Sequence, residues 1–178
     1  MSKSKKKRGI LIFLSVLLTI LIISAASLSF YLLRPLKFPD AEIIVKNFDY
    51  QPHFDSLVRQ YNSGSGVSFK NERCSFVSAD MNDYCKVNVK VNVYNRTGTD
   101  AFVNYIYPIT DNDFIIFGII PVATMQAPAN TVSECYSTFI CLKNDKTEEE
   151  IIDALSAMEY KIIFGNSVFR ENSQIIHF

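Results

Sequence analysis

The sequence predicts a mainly β fold, an antiparallel β-sandwich with one or two short helices, preceded by a single N-terminal transmembrane helix. Three observations carry that prediction. Residues Gly9–Leu33 run for 25 positions without one charged side chain. In Cys85–Tyr94, Val87, Val89, Val91 and Val93 alternate with Asn88, Lys90, Asn92 and Tyr94, a period of two with one apolar face. Several more short β-branched and aromatic runs follow between turn residues, with one late helical pattern among them.

The apolar run comes first. A helix rises about 1.5 Å per residue, so some 20 residues of the run cross a hydrocarbon layer of about 30 Å. Lys5, Lys6, Lys7 and Arg8 stand before it, and residues 1–34 hold six of the 18 basic side chains and none of the 18 acidic ones. The positive-inside bias then keeps residues 1–8 in the cytoplasm and the C-terminal part outside. The lipid bilayer is the expected partner of residues 9–33. A cleavable signal peptide competes, with Ser24 and Ala26 as small residues before a cut after Ala26. The apolar run continues past that point through Phe30, Tyr31, Leu32 and Leu33 to Pro35, which favours retention. A pilin-like leader would place a glutamate where this chain has Leu14, and no cysteine near the run supports a lipoprotein.

Pro35 and Pro39 stop the helix, and residues 34–40 are expected to form a stalk before one domain over 41–178. About 144 residues are enough to bury a core. Beyond residue 34 there are 12 basic and 18 acidic side chains, a net of −6. That balance argues against nucleic acid as a partner.

All four cysteines, Cys74, Cys85, Cys135 and Cys141, follow the apolar run. In an exported domain an even count favours disulfides. If Cys135 and Cys141 share a strand, their Cα atoms lie roughly 20 Å apart, whereas a disulfide needs less than about 7 Å. The expectation is two bridges fastening the 74–85 segment to the 135–141 strand. One local Cys74–Cys85 bridge with two buried thiols is the alternative. With no C-x-x-C pair and no histidine nearby, zinc is disfavoured.

Along the domain, residues 41–50 form a first strand, and Phe54, Leu57, Val58 and Tyr61 place a short helix over 53–61. NSGSG at 62–66 is a flexible loop, and 67–77 is a strand leading to a turn at Asp80–Asp83. After the Val-rich strand, NRTGTD at 95–100 supplies a turn and Phe102–Tyr107 returns as the next strand. FIIFGIIPV at 114–122 is either a central strand covered on both faces or an exposed apolar patch that meets a partner. Residues 134–143 make another strand. Thr147 and Glu150 form a capping box for a helix whose apolar stripe is Ile151, Ile152, Leu155 and Met158. Short strands at 160–164, 167–169 and 174–178 finish the chain.

With a basic tip, one anchor and the strand and turn VNVKVNVYNRTGTD, the chain resembles the small membrane-anchored surface proteins of Gram-positive bacteria. Their ectodomains are immunoglobulin-like sandwiches of the FxLyD and late-embryogenesis-abundant types. The resemblance covers mainly residues 85–145, lacks an F-x-L-y-D run, and leaves the helix at 148–158 as an addition. It implies an Ig-like fold with a binding or structural role and no catalytic residues.

The residues themselves offer little chemistry. His53 and His177 are the only histidines, and no G-x-S-x-G elbow, P-loop, G-x-G-x-x-G turn or H-E-x-x-H helix occurs. A non-enzymatic protein with no cofactor is expected. Asp111-Asn112-Asp113 resembles the start of a calcium loop, but Ile116 and Val122 occupy the positions of its glycine and closing glutamate. Asn95-Arg96-Thr97 is a formal N-glycosylation sequon. The candidate partner surface is Phe114, Ile115, Phe117 and Ile119 together with Tyr94, Tyr105 and Tyr107. Two other roles compete with an ectodomain that binds. One is an accessory subunit packed through Ser15, Thr19, Ser24 and Ser27 of the anchor, and the other is a secreted protein after cleavage, a hydrolase if His53 or His177 shares a polar cleft with an acid or serine.

Overall fold

A computed structural model describes the backbone of residues 2–32, 36–109, 112–121, 125–166 and 171–177, and the side chains of 13–28, 36–109, 112–121, 125–165 and 171–177. The chain divides into two compact units, Met1–Pro35 and Leu36–Phe178. The first contains one helix, α1 (Ser2–Leu32). Its described side chains, Phe13 to Leu28, are all exposed, including Phe13, Leu14, Ile22 and Ile23 on different sides of the helix. They cover 16 residues, or about 24 Å at the helical rise. Among the described residues, no helix is long and apolar enough to cross a membrane. The structure bears out the helix and not the span.

The second unit is mainly β, with two antiparallel sheets and two further helices. Its elements are β1 (Ala41–Asn47), α2 (Gln51–Ser63), β2 (Val67–Lys70), β3 (Tyr84–Asn95), β4 (Ala101–Pro108), β5 (Ile115–Ile119), β6 (Met125–Ala127), β7 (Thr131–Leu142), α3 (Glu148–Ser156), β8 (Glu159–Asn166) and β9 (Asn172–His177). One sheet has the order β1-β3-β7-β5-β2 and the other β6-β4-β8-β9. The two pack as a β-sandwich.

Strand alternation builds the space between the sheets. Cys85, Val87, Val89, Val91 and Val93 of β3 point inward beside Cys135, Phe139 and Cys141 of β7. They meet Val103 and Ile106 of β4, Tyr160 and Ile162 of β8, and Ile176 of β9. Ser137 is the buried polar exception on β7, and its hydroxyl donates to the Ile106 carbonyl at 2.8 Å, tying one sheet to the other. α3 closes one side of this core with Ile151 and Leu155. The expected capping box starts it: Thr147 Oγ1 accepts from Glu150 N–H, and the Glu150 carboxylate accepts from Thr147 N–H.

A second core lies on the opposite face of the larger sheet. There α2 lays Phe54 and Leu57 over Tyr84, Ile116, Phe117, Ile140 and Leu142. α2 ends at Gly64, whose φ of 73° suits glycine and whose N–H bonds the Gln60 carbonyl.

Four expectations are corrected. Residues 34–40 are not wholly a stalk, since Leu36 and Phe38 are buried in the main core and Lys37 bridges Tyr94 through both backbone hydrogen bonds. The folded unit therefore starts at 36 and not at 41. β3 and β4 do not pair, because they belong to different sheets. Of the strand expected over 67–77 only Val67–Lys70 forms, and β6 is a strand the sequence reading missed. The short strand expected at 167–169 lies outside the described residues, as do the side chains of the basic tip.

Candidate functional site

The middle of FIIFGIIPV becomes β5, between β7 and β2, and Ile115 to Phe117 are buried on both of its faces, while Ile120 beyond it is exposed. A register shift between Ile115 and Phe117 breaks the alternation. Ile115 enters the core between the sheets, and Ile116 and Phe117 both enter the core under α2. The central-strand alternative holds. Phe114, Ile115 and Phe117 are withdrawn from the surface, and Ile119 is half-buried.

The tyrosines do not gather in one place. Tyr94 is half-buried on β3 of the larger sheet, whereas Tyr105 and Tyr107 are on β4 of the smaller one. A register shift between Val103 and Tyr105 turns Phe102 and Tyr105 to the same outer face. Tyr105 faces Ile163 across the ladder, Tyr107 faces Lys161, and Lys161 faces Ile175 of β9. Phe102, Tyr105 and Ile175 are exposed, at 39%, 36% and 54%, while the Tyr107 ring is half-buried against Phe69 at 6.3 Å. This outer face is one apolar surface that the folded sandwich retains, and Val77 and Val132 are exposed elsewhere. Phe102 escapes the sequence reading because the bulge breaks the period of two that would group it with Tyr105, and Ile163 and Ile175 because no local pattern says that β8 and β9 lie alongside β4.

The outer face of the larger sheet has a polar counterpart. Lys90 Nζ lies 2.7 Å from Glu134 and 3.6 Å from Glu42, and the Tyr136 hydroxyl donates to Glu134. The bond from Lys90, with that from Tyr136, holds the Glu134 carboxyl below its ordinary value, and Glu134 in turn raises Lys90.

All four cysteines are buried, and none is bridged in the structure. The two-bridge pairing is corrected by placement. Cys135 faces Val91 across the ladder. Cys74 packs under α2, on the other side of the larger sheet from Cys85 and Cys135. The local Cys74–Cys85 alternative meets the same obstacle. Cys85 and Cys141, by contrast, stand directly opposite each other. Burial alone pushes the Cys135 thiol up to about 12.

Asn95 of the sequon is buried. Its Nδ2 donates to the carbonyls of Thr99 and Ala127, at 2.9 and 2.7 Å, and its Oδ1 accepts from Thr97 N–H and Oγ1. Its amide is occupied by the fold and closed to a glycan. Asn112, in the calcium-like run, spends its Oδ1 on the N–H of Ile115 and on Asn71, which fixes the entrance to β5. Asp111 lies outside the described residues. Among those described, no group of three or more His, Cys, Asp or Glu side chains could hold a metal ion.

The histidines sit apart. His53 on α2 packs near the Phe48 ring at 6.2 Å, and His177 lies 3.7 Å from Glu159 on an exposed strand pair. Beside α2, an open cavity of about 400 Å³ is lined by Gln51, Phe54, Asp55, Val58 and Phe76 with residues 77–79, and neither histidine lines it. No protein-family model matches the sequence, and no curated protein is similar to it.

Proposed function

We propose that this is a non-enzymatic, single-pass membrane protein that displays an immunoglobulin-like sandwich outside the cell for protein binding or a structural role. The observation that carries the proposal is α1. Its described side chains are uncharged, mostly large and apolar, and exposed on every side, inside an uncharged run of 25 residues. A helix apolar all round needs a non-aqueous cover, and a bilayer supplies one. Thr19 favours lipid over a packed helix partner, because its hydroxyl already donates to the Ser15 carbonyl at 2.9 Å within α1.

The strand order supports the immunoglobulin-like assignment. The neighbours β1-β3-β7-β5 follow the spatial order A-B-E-D, and β6-β4-β8-β9 follow C′-C-F-G. The departures are β2 added beside β5, and β5 preceding β6 in the chain. Tyr160, at the start of the F-like strand β8, donates its hydroxyl to the Leu155 carbonyl at 2.8 Å, in the manner of a tyrosine corner. Phe102, Tyr105 and Ile175 are the contact surface of this reading, with the rigid aromatic rings suited to protein recognition.

Topology is tested with a C-terminal epitope on the full-length protein in cells. The proposal expects the epitope to be removed by protease added to intact cells, while residues 1–33 stay in the membrane pellet after alkaline carbonate. A carbonate-soluble chain with a protected epitope overturns it.

A further inference from the structure

We propose that Cys85 and Cys141 are the site of a single cross-strand disulfide in the β3–β7 ladder, while Cys74 and Cys135 remain thiols. The register pairs Cys85 directly with Cys141. Two positions further along the same ladder, Lys143 N–H donates to the Asp83 carbonyl at 2.8 Å. Antiparallel hydrogen bonding repeats every second pair, so Cys85 and Cys141 also form a hydrogen-bonded pair. Such pairs have Cα atoms about 5.5 Å apart, within the range of about 4.4–6.8 Å that disulfides occupy. Both side chains point into the core between the sheets.

No other pairing has these properties. Cys135 shares β7 with Cys141 and faces a valine, and Cys74 is across the sheet from Cys85, Cys135 and Cys141 alike.

Closing the bridge breaks two S–H bonds and forms one S–S bond. Two electrons and two protons pass to a disulfide oxidant, which leaves as two thiols. Cys85 and Cys141 are both 0% exposed in the finished fold. The exchange therefore belongs to the folding chain, before the sheets close over the pair. The proposal rests on the extracytoplasmic reading for its oxidant, and the pairing itself is independent of it.

The experiment unfolds and reduces the full-length protein in detergent, refolds it with reduced and oxidised glutathione, and counts alkylated cysteines by intact mass after denaturation. Two labels before reduction and four after it are expected. Cys74→Ala/Cys135→Ala should give none before and two after, and Cys85→Ala/Cys141→Ala two in both. The second variant removes two core sulfurs and can fail to fold, so the first carries the test. Four labels on the refolded wild type, or two before reduction on Cys74→Ala/Cys135→Ala, overturn the pairing. The same count on native membranes tests location separately. A pair that closes on refolding and is reduced in cells counts against the extracytoplasmic reading and leaves the pairing standing.

Discussion

The Phe54 ring stacks on Tyr84 with centroids 5.1 Å apart and planes 29° from parallel, and that contact joins α2 to the larger sheet. Tyr84 is fully buried, and its hydroxyl accepts from the N–H groups of Val77 and Ser78 and donates to the Ser78 carbonyl. One side chain thus holds both the helix and the irregular 71–79 segment. Tyr84→Phe keeps the stacking and strands those backbone groups, so a loss of about 1–3 kcal/mol is expected. Phe54→Ala should cost more, about 3–5 kcal/mol, by opening the aromatic cluster. Urea unfolding measures both, and equal losses would contradict this division of roles.

A chain that starts at Ala41 should be much less stable than one that starts at Leu36. The longer chain buries Leu36 and Phe38 and makes the Lys37–Tyr94 bridge. Burial of two large apolar side chains is worth roughly 3–6 kcal/mol. Comparison of urea midpoints settles the point, and matched midpoints would return residues 36–40 to the role of a stalk.

Asn95→Ala removes an amide that binds Ala127 and Thr99 on one side and Thr97 on the other. Leaving those buried groups unpaired should cost about 1–3 kcal/mol. Expressed in a host with N-glycosylation, the folded wild type should keep its unmodified mass. A glycan on Asn95 would mean that this loop opens.

Gly118→Ala is expected to destabilise by about 1–3 kcal/mol through overpacking. A Cβ there would lie 2.5 Å from Ser68 Oγ and 2.6 Å from the Phe69 ring. Gly118 is where β2 crosses close to β5, beside the register shift between Val67 and Phe69. Ser68→Ala combined with Gly118→Ala should recover only the hydroxyl part, leaving the ring contact.

The Lys90–Glu134 pair gives a pH dependence with two arms. Glu134 has a depressed carboxyl, so its contribution is present above the unfolded value of about 4.3 and is lost as pH falls through the lower folded value. Lys90 is raised, so its contribution is present below about 10.4 and is lost as pH rises through the higher folded value. Glu134→Gln should flatten both arms in a denaturation series. Salt near 1 M should do the same in the wild type, since the pair is on the surface.

What the sequence revealed and what it hid divide along physical lines. The valines of β3 were legible because one buried and one wet face impose a period of two. The start of α3 was legible because Thr147 and Glu150 satisfy each other locally. The Val–Asn–Lys alternation could not say which strand lies alongside. NRTGTD resembles a hairpin turn, but the Asn95 side chain reaches Ala127 and makes the loop a crossing from one sheet to the other. That partner is 32 residues away and leaves no local trace. The contact surface was hidden for a related reason. Each register shift moves one side chain to the opposite face, which placed Phe117 beside Ile116 under α2 and grouped Phe102 with Tyr105.

The early entry of Leu36 and Phe38 into the core has a mechanical consequence. Tension arriving from the amino-terminal side meets structural side chains within four residues of the last helical turn of α1. It must part the Lys37–Tyr94 clasp before β1 can be drawn away from β3. A tug that reaches Leu36 is therefore felt by the sandwich itself.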